Sequence, residues 1–242
     1  MRNRGRVIKN MLIGMIGICI CIAATWVSSM TGKGNVVNGY IQSNWPKMSF
    51  FRFEISIIMS SIGITLYYIG ISEYIKVLKI TKRRRGYREN RMAKLFEVGA
   101  VAGLISYLFI QVCFIMMALV YKLLYTTSLM GADIISVTEG MFYYVAIPVI
   151  AFYVISIVAV SIPYMYFTYT GKLKIPKLFI LFNPLIFLGI GELLKLTKKY
   201  YLVDFSSAAV LFGFLLMMAA GAIHVSKMPD DKRERRRRAE DQ

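Results

Sequence analysis

Apolar positions along this chain form six long runs with almost no charge inside them, and polar positions form short blocks between the runs. Most runs reach the roughly 20 apolar residues that a helix needs to cross a bilayer. None alternates with a period of two, as the strands of an outer-membrane barrel do. The pattern therefore predicts an all-α polytopic membrane protein, a bundle of six transmembrane helices. The predicted helices are residues 11–30, 53–75, 95–121, 141–169, 178–194 and 202–225.

The predicted fifth helix differs from the others because it is short and Asn183-Pro184 interrupts it. Proline has no backbone N–H and clashes with the preceding turn, so we expect a kink or a break here. Inside a bilayer, the backbone groups freed by a break need partners from the protein. The fourth helix carries Pro148 and Pro163 and is long enough to tilt or kink.

Lysine and arginine are unevenly divided between the polar segments. The amino terminus, the second and fourth loops and the carboxy-terminal tail hold 23 of the 30, and the other loops hold seven. Positive residues stay on the cytoplasmic side of short loops. We therefore expect a plasma-membrane protein with both termini in the cytoplasm. It would have a basic segment 1–10, a transmembrane domain 11–225 and a basic tail 226–242 without fixed structure.

The densest basic block is KITKRRRGYRENRMAK, residues 79–94, in the second loop. Nucleic-acid binding is disfavoured because the block is short, lies between two predicted helices and has only Tyr87 to stack on bases. Each cation beside a bilayer adds roughly 1 kcal/mol of attraction to anionic lipid headgroups. We interpret the block as an orientation signal and a contact for these headgroups, and expect no nucleic-acid partner. Its candidate headgroup residues are Arg83, Arg84, Arg85, Arg88 and Arg91.

Polar side chains inside the runs are candidates for function, because a polar group in hydrocarbon is costly unless it faces the protein interior. Gln111 and Asn183 lie near the middle of their helices. Each could bond a neighbouring helix or line a polar pocket. Glu54, Glu192 and Asp204 lie at the predicted outer boundary, where the glutamates could also reach water and Asp204 could cap a helix. Together the five form a candidate outward-opening ligand cavity.

Two further patterns predict contacts of helices. GAVAG, Gly99 to Gly103, is a G-x-x-x-G motif that lets another helix approach closely. Glu73 with Lys76, and Lys94 with Glu97, have the spacing of helical ion pairs.

Signatures of known enzymes are absent from the sequence: it has no G-x-S-x-G, H-E-x-x-H, Walker loop or dinucleotide fingerprint. His224 is the only histidine, and the three cysteines lie inside the runs. We therefore expect no metal site and no cofactor, and a protein that is not an enzyme is favoured.

Two stretches carry a resemblance to a known group. They are NWPKMSFFRFEISIIMSSIGITLYYIG, residues 44–70, and LFNPLIF, residues 181–187. A tryptophan, an arginine that opens a helix, and then small residues with a glycine are similar to uncharacterised six-span membrane proteins of Gram-positive bacteria. The layout is more distantly similar to the Frag and DRAM group. The resemblance implies a bacterial plasma membrane and no established activity. The typical positions it implies are Trp45, Arg52, Gly70, Asn183 and Pro184.

Three functions remain open at this point. The first is binding or transport of a lipid or small amphipathic molecule in the outward-opening cavity. The second is a non-enzymatic membrane partner, such as a regulatory or immunity subunit, that docks through the basic loop and tail. The third is an intramembrane lipid-modifying enzyme with a carboxylate pair, for which Glu54 and Asp204 are candidates. The bilayer and its anionic headgroups are expected partners in each case.

Overall fold

The computed structural model describes residues 4–30, 36–38, 41–42, 44–80, 87–127 and 131–228, and most of these residues are helical. The predicted all-α class is confirmed, with one short antiparallel pair of strands, β1 (Val36–Asn38) and β2 (Ile41–Gln42), as an addition. Turns of 3-10 helix lie at Trp45–Lys47 and Lys177–Leu181. The α-helices are α1 (Arg4–Ser29), α2 (Phe50–Ile80), α3 (Tyr87–Thr126), α4 (Gly131–Met141), α5 (Ile147–Tyr169), α6 (Pro184–Leu196), α7 (Tyr200–Ser206) and α8 (Ala209–Ser226).

Among the described residues, five helical segments are long and apolar enough to cross a membrane: α1, α2, α3, α4 joined to α5, and α8. They extend past most of the predicted runs, because polar flanking residues continue the same helices. At 1.5 Å per residue, the 40 residues of α3 span about 60 Å, roughly twice the hydrocarbon thickness. The apolar runs thus marked the spanning part of each helix and missed its polar ends.

The predicted six-helix bundle is not confirmed, because residues 178–194 do not form a helix of spanning length. The 3-10 turn ends at Leu181, and the 13-residue α6 begins only at Pro184. Proline cannot continue the hydrogen-bond pattern of a helix that precedes it, which explains the break.

The predicted helix at 202–225 is also divided, into α7 and α8. The hydroxyls of Ser206 and Ser207 donate to the carbonyls of Val203 and Asp204, both at 2.7 Å. Such local side-chain bonds compete with continuation of the helix, and residues 207 and 208 lie outside both helices.

The segment formed by α4 and α5 contains one departure from α-helical geometry. A π-helical turn, Phe142–Ala146, joins α4 to α5 directly before Pro148. A proline at this position cannot bond the preceding turn, and a wider turn accommodates the missing donor. Pro163, in contrast, lies inside α5 without interrupting it.

Glycines set the closest helix contact, between antiparallel α1 and α2. A Cβ atom added at Gly17 would lie 2.4 Å from the backbone nitrogen of Tyr67, and one at Gly14 would lie 2.6 Å from the Cα of Gly70. Only glycine fits such distances, so the backbones themselves are in contact.

The G-x-x-x-G motif of α3 is half confirmed. A Cβ atom at Gly99 would lie 2.8 Å from the carbonyl carbon of Ala159 in α5, so this glycine does permit close approach. At Gly103 the nearest atom would be 3.8 Å away, which leaves room for a side chain.

The bundle has two ends that differ in charge. We call one the basic end, where Arg4 Nη1 donates to the carbonyl of Met228 at 3.2 Å and Lys172 pairs with Glu89. The described start and finish of the chain therefore meet. We call the other the far end, where the hydroxyls of Ser29 and Ser207 are 2.8 Å apart.

Cations cap backbone groups at the far end. Arg52 donates to the carbonyls of Val27 and Met30 at 3.0 and 2.7 Å and so satisfies the last turn of α1. Lys122 is buried and donates to the carbonyl of Pro46 at 3.0 Å. Arg52, which the resemblance marked as typical, thus has a structural role here.

Candidate functional site

Gln111, the first candidate for the outward cavity, is buried where α3 meets α1 and α2. Its Nε2 donates to the hydroxyls of Ser28 at 2.9 Å and Ser56 at 2.8 Å. The Ser56 hydroxyl in turn donates to the carbonyl of Ala24 at 2.7 Å. The amide therefore joins three helices, and both of its N–H groups have acceptors within the protein.

A second polar group, one helical turn nearer the basic end, was not identified from the sequence. The hydroxyl of Tyr107 donates to the carbonyl of Cys21 at 3.0 Å and lies 3.0 Å from the hydroxyl of Thr25. All three residues are buried. A tyrosine inside an apolar run is usually read as a packing residue, but its spacing of four from Gln111 places both on one face of α3. That spacing is the signal that could have found it.

Asn183, the second mid-helix candidate, caps the start of α6. Its Oδ1 accepts from the N–H groups of Leu185 at 3.0 Å and Ile186 at 3.2 Å, and its Nδ2 donates to the carbonyl of Ile180 at 2.6 Å. The hydroxyl of Ser161 in α5 also accepts from Leu185, at 3.2 Å. Asn183 therefore satisfies backbone groups that the break at Pro184 leaves without helical partners.

Two more side chains stabilise the non-helical segment between α5 and α6. The Tyr164 hydroxyl donates to the carbonyl of Phe179 at 3.0 Å. His224 is buried at the end of α8, and its Nδ1 accepts from the N–H of Lys174 at 2.8 Å. Backbone outside a helix needs partners of this kind, so His224 also satisfies a donor of the segment that precedes the break.

The three acids of the candidate cavity lie on three different elements. Glu54 is exposed on α2, and Glu192 is exposed on α6, where its Oε1 pairs with Lys195 Nζ at 2.6 Å. Asp204 is half-buried on α7. The five candidates thus occupy separate environments: two amides inside the bundle and three acids on separate helices at the far end.

The acids of the basic end are paired with lysines. Glu73 accepts from Asn10 Nδ2 at 3.3 Å and pairs with Lys76 at 3.4 Å, as predicted. Glu97 pairs with Lys79 of α2 at 2.5 Å, so its predicted pairing with the lysine three residues before it is wrong. The contact between helices replaces the local pair because α2 and α3 pack side by side here.

The basic block contains a cleft of about 710 Å³ at the start of α3. Arg83, Arg84 and Arg85 lie outside the described residues, whereas Arg88 and Arg91 are described and exposed. The cleft combines three cations with apolar side chains. Its lining residues lie on both sides of residue 95, where the predicted apolar run 95–121 begins. Its lining residues are Arg88, Arg91, Met92, Lys94, Leu95 and Val98.

Neighbouring elements position this part of α3. The guanidinium of Arg88 lies 5.5 Å from the ring centroid of Tyr166, a cation–π contact with α5. The next residue, Glu89, pairs with Lys172 at 3.1 Å. The first turn of α3 is therefore tied to the end of α5 and to the segment that follows it.

Comparison with known proteins gives a family and no activity. The profile of DUF6796, a family of unknown function, matches residues 1–228, and the chain belongs to this family. No curated protein and no solved structure matches the chain.

Proposed function

We propose that this protein binds a lipid or another small amphipathic molecule whose anionic headgroup lies in the basic cleft of α3. The observation that carries the proposal is the composition of the cleft. Three cations, Arg88, Arg91 and Lys94, lie beside Leu95 and Val98, whose side chains are 38% and 57% exposed. A surface that is cationic on one side and apolar on the other is complementary to a molecule with an anionic headgroup and an apolar tail.

Magnitudes favour a lipid over a free anion. Three juxtamembrane cations would contribute roughly 3 kcal/mol of attraction, at about 1 kcal/mol each. Alone, that attraction corresponds to a weak complex, since millimolar affinity already requires about 4 kcal/mol. Apolar surface adds about 25 cal/mol per Å² removed from water, and a ligand already in the bilayer is locally concentrated.

Charge distribution supports an orientation for the proposal. The basic end carries most of the described lysines and arginines, and such residues are retained in the cytoplasm. We place the cleft in the cytoplasmic leaflet of the plasma membrane, with both termini in the cytoplasm. A reporter enzyme fused at residue 242 that was active only outside the cytoplasm would overturn this orientation.

Binding in the cleft differs from the outward-opening cavity expected from the sequence. Gln111 and Asn183 already bond groups of the protein itself, at 2.6 to 3.2 Å. Neither amide is needed for the lipid-binding site, and the cleft lies at the other end of the bundle from Glu192 and Asp204. The proposed function therefore rests on the cleft alone.

Lipid binding can be measured by native mass spectrometry of the full chain released from mixed micelles containing phosphatidylglycerol. We expect bound phosphatidylglycerol in the wild type and roughly 30-fold weaker binding in the triple variant Arg88→Ala, Arg91→Ala, Lys94→Ala, because its single phosphate loses the two neighbouring cations that it can bridge. The matched control removes three cations at the far end, by Lys195→Ala, Lys198→Ala and Lys199→Ala. Equal lipid retention by both triple variants would contradict the proposal.

A further inference from the structure

We propose that the preferred occupant of the cleft is a phospholipid with two phosphate groups joined by a short bridge, of the diphosphatidylglycerol type. This inference rests on the proposed function and specifies its ligand. It goes beyond attraction of cations to an anionic surface, because it predicts a preference between lipids at equal surface charge.

The first argument is the spacing of the cations. Arg88, Arg91 and Lys94 follow one another at intervals of three residues on α3. Each step is a rise of about 4.5 Å and a rotation of about 60° backwards around the helix. The charges therefore form an inclined row about 9 Å long, measured along the axis. A single phosphate can bridge two neighbours in such a row, whereas the third cation needs a second anionic group.

The second argument is where the nearby acids point. Glu89 lies about 100° around α3 from Arg88, on the side away from the row, whereas Glu97 continues the row one step beyond Lys94. Both are paired with lysines of other elements, Lys172 at 3.1 Å and Lys79 at 2.5 Å. The described lining of the cleft accordingly contains three cations and no carboxylate. Its formal charge is closer to the two negative charges of a bisphosphate lipid than to the single charge of phosphatidylglycerol.

The third argument is that one end of the row is held in place. The cation–π contact with Tyr166 restricts the Arg88 side chain, and the ion pair of Glu89 fixes the same turn. A cation held beside its ligand loses less conformational entropy when it binds. Tyr166 thus acts as a positioning residue for the first phosphate, which Arg88 and Arg91 would share. Lys94 would then contact the second phosphate.

The apolar side of the cleft continues along α3 in the direction of the acyl chains. Leu95 and Val98 are followed on the same face of the helix by exposed Ile105 and Phe109. Headgroup contacts at one end and an apolar track at the other require an intact lipid, so the headgroup alone should bind poorly.

The test measures lipid preference at matched charge. Full-length protein is reconstituted in nanodiscs of phosphatidylcholine with either phosphatidylglycerol or half as much diphosphatidylglycerol, and displacement of a fluorescent anionic lipid is followed. We expect about five-fold tighter binding of diphosphatidylglycerol per unit of charge, because its second phosphate engages one more cation.

Variants separate this inference from the proposed function. Lys94→Ala should remove the five-fold preference while leaving phosphatidylglycerol binding nearly unchanged, and Lys198→Ala should alter neither. Tyr166→Leu should weaken binding of both lipids about equally, because it acts through Arg88. Glycerophosphodiesters without acyl chains should fail to displace the probe at the same concentrations.

Three outcomes would overturn the inference. Equal affinity of the two lipids in the wild type, with binding still lost in the triple cleft variant, would leave the proposed function standing and remove the preference for two phosphates. A preference that survives Lys94→Ala would contradict the assignment of the second phosphate. Binding that survives the triple cleft variant would remove both proposals.

Discussion

In the α1–α2 pair, two unbroken helices approach until a Cβ atom at Gly17 would meet backbone atoms of α2 at 2.4 Å. In the α6–α8 pair, one helix begins inside the bundle, at the level of Gly213, where a Cβ atom would lie 2.7 Å from Pro184 Cα. Both contacts use glycine to bring backbones together. Only the second has a break beside it, and there Asn183 and Ser161 supply the bonds that the helix lacks.

The difference shows two separate requirements of helix packing in a bilayer. An unbroken helix satisfies the hydrogen bonds of its own backbone. The stability of the α1–α2 contact therefore depends on how small the side chains between the two helices are. A broken helix leaves backbone groups without helical partners. The stability of the α6 region therefore depends on polar side chains that bond these groups, more than on the size of the side chains. Substitutions that change one property at a time should therefore separate the two regions.

The largest effect should come from added volume between α1 and α2. Gly17→Ala places a methyl group against backbone rather than against a flexible side chain, so we expect a loss of about 3 kcal/mol in the free energy of unfolding. Unfolding in mixed detergent micelles, followed by circular dichroism, gives this value.

Gly189→Ala is the matched control, because no atom lies within 4 Å of its added Cβ. It should be neutral or stabilising by up to about 1 kcal/mol, since alanine favours helix. Equal stability of the two variants would show that the α1–α2 contact tolerates volume.

A smaller effect should come from lost polarity at the start of α6. Asn183→Leu keeps most of the volume but removes the acceptor for two N–H groups and the donor to Ile180, so we expect a loss of about 2 kcal/mol. The same unfolding measurement applies.

Asn183→Ser separates the cap from the side-chain volume. Serine is also a good capping residue, and about half of the lost stability should return although the side chain is smaller. If serine were as damaging as leucine, the hydrogen bonds of the cap would not be the reason for the loss.

The smallest effect is expected at Gln111. Gln111→Leu removes two interhelical hydrogen bonds, each of which is worth about 0.6 kcal/mol on average. The loss should be close to 1 kcal/mol, because the hydroxyls of Ser28 and Ser56 keep their own bonds to backbone carbonyls. Lipid binding in the cleft should not change. If the Gln111→Leu variant had normal stability but no longer bound lipid, Gln111 would have to be a ligand-binding residue.

The sequence predicted the helical class from runs of apolar residues alone, and one of its predicted helices overlaps each of the five spanning segments. At Asn183-Pro184 it predicted a kink or a break, and α6 does begin only at Pro184, but the high hydropathy of 178–194 also led to the prediction of a spanning helix, which the structure does not form. Its strongest indication of close packing was the motif at Gly99 and Gly103, yet the tightest contact involves Gly14, Gly17, Gly63 and Gly70. A glycine matters where a partner helix approaches, and the partner is set by tertiary structure.

The candidate site divides in the same way. Arg88, Arg91 and Lys94 were predicted from charge alone to contact headgroups as part of the basic block 79–94, and this stays a prediction, but Leu95 and Val98 were not placed with them. To predict an amphipathic cleft, one must know which residues of α3 face neighbouring elements. The ion pairs of Glu89 and Glu97 with those elements fix this orientation. For Gln111 and Asn183 the sequence left open bonding within the protein or the lining of a pocket, and the hydrogen bonds of both amides agree with the first alternative.

Contact between the first helix and the last also has a consequence for biosynthesis. A Cβ atom added at Gly14 of α1 would lie 3.5 Å from the terminal methyl carbon of Met218 in α8, and about 200 residues separate the two along the chain. At about 5–20 residues per second, a ribosome needs roughly 10–40 s to deliver α8 after α1 has emerged. For that interval the nascent hairpin of α1 and α2 lacks α8, which covers one of its faces in the folded protein.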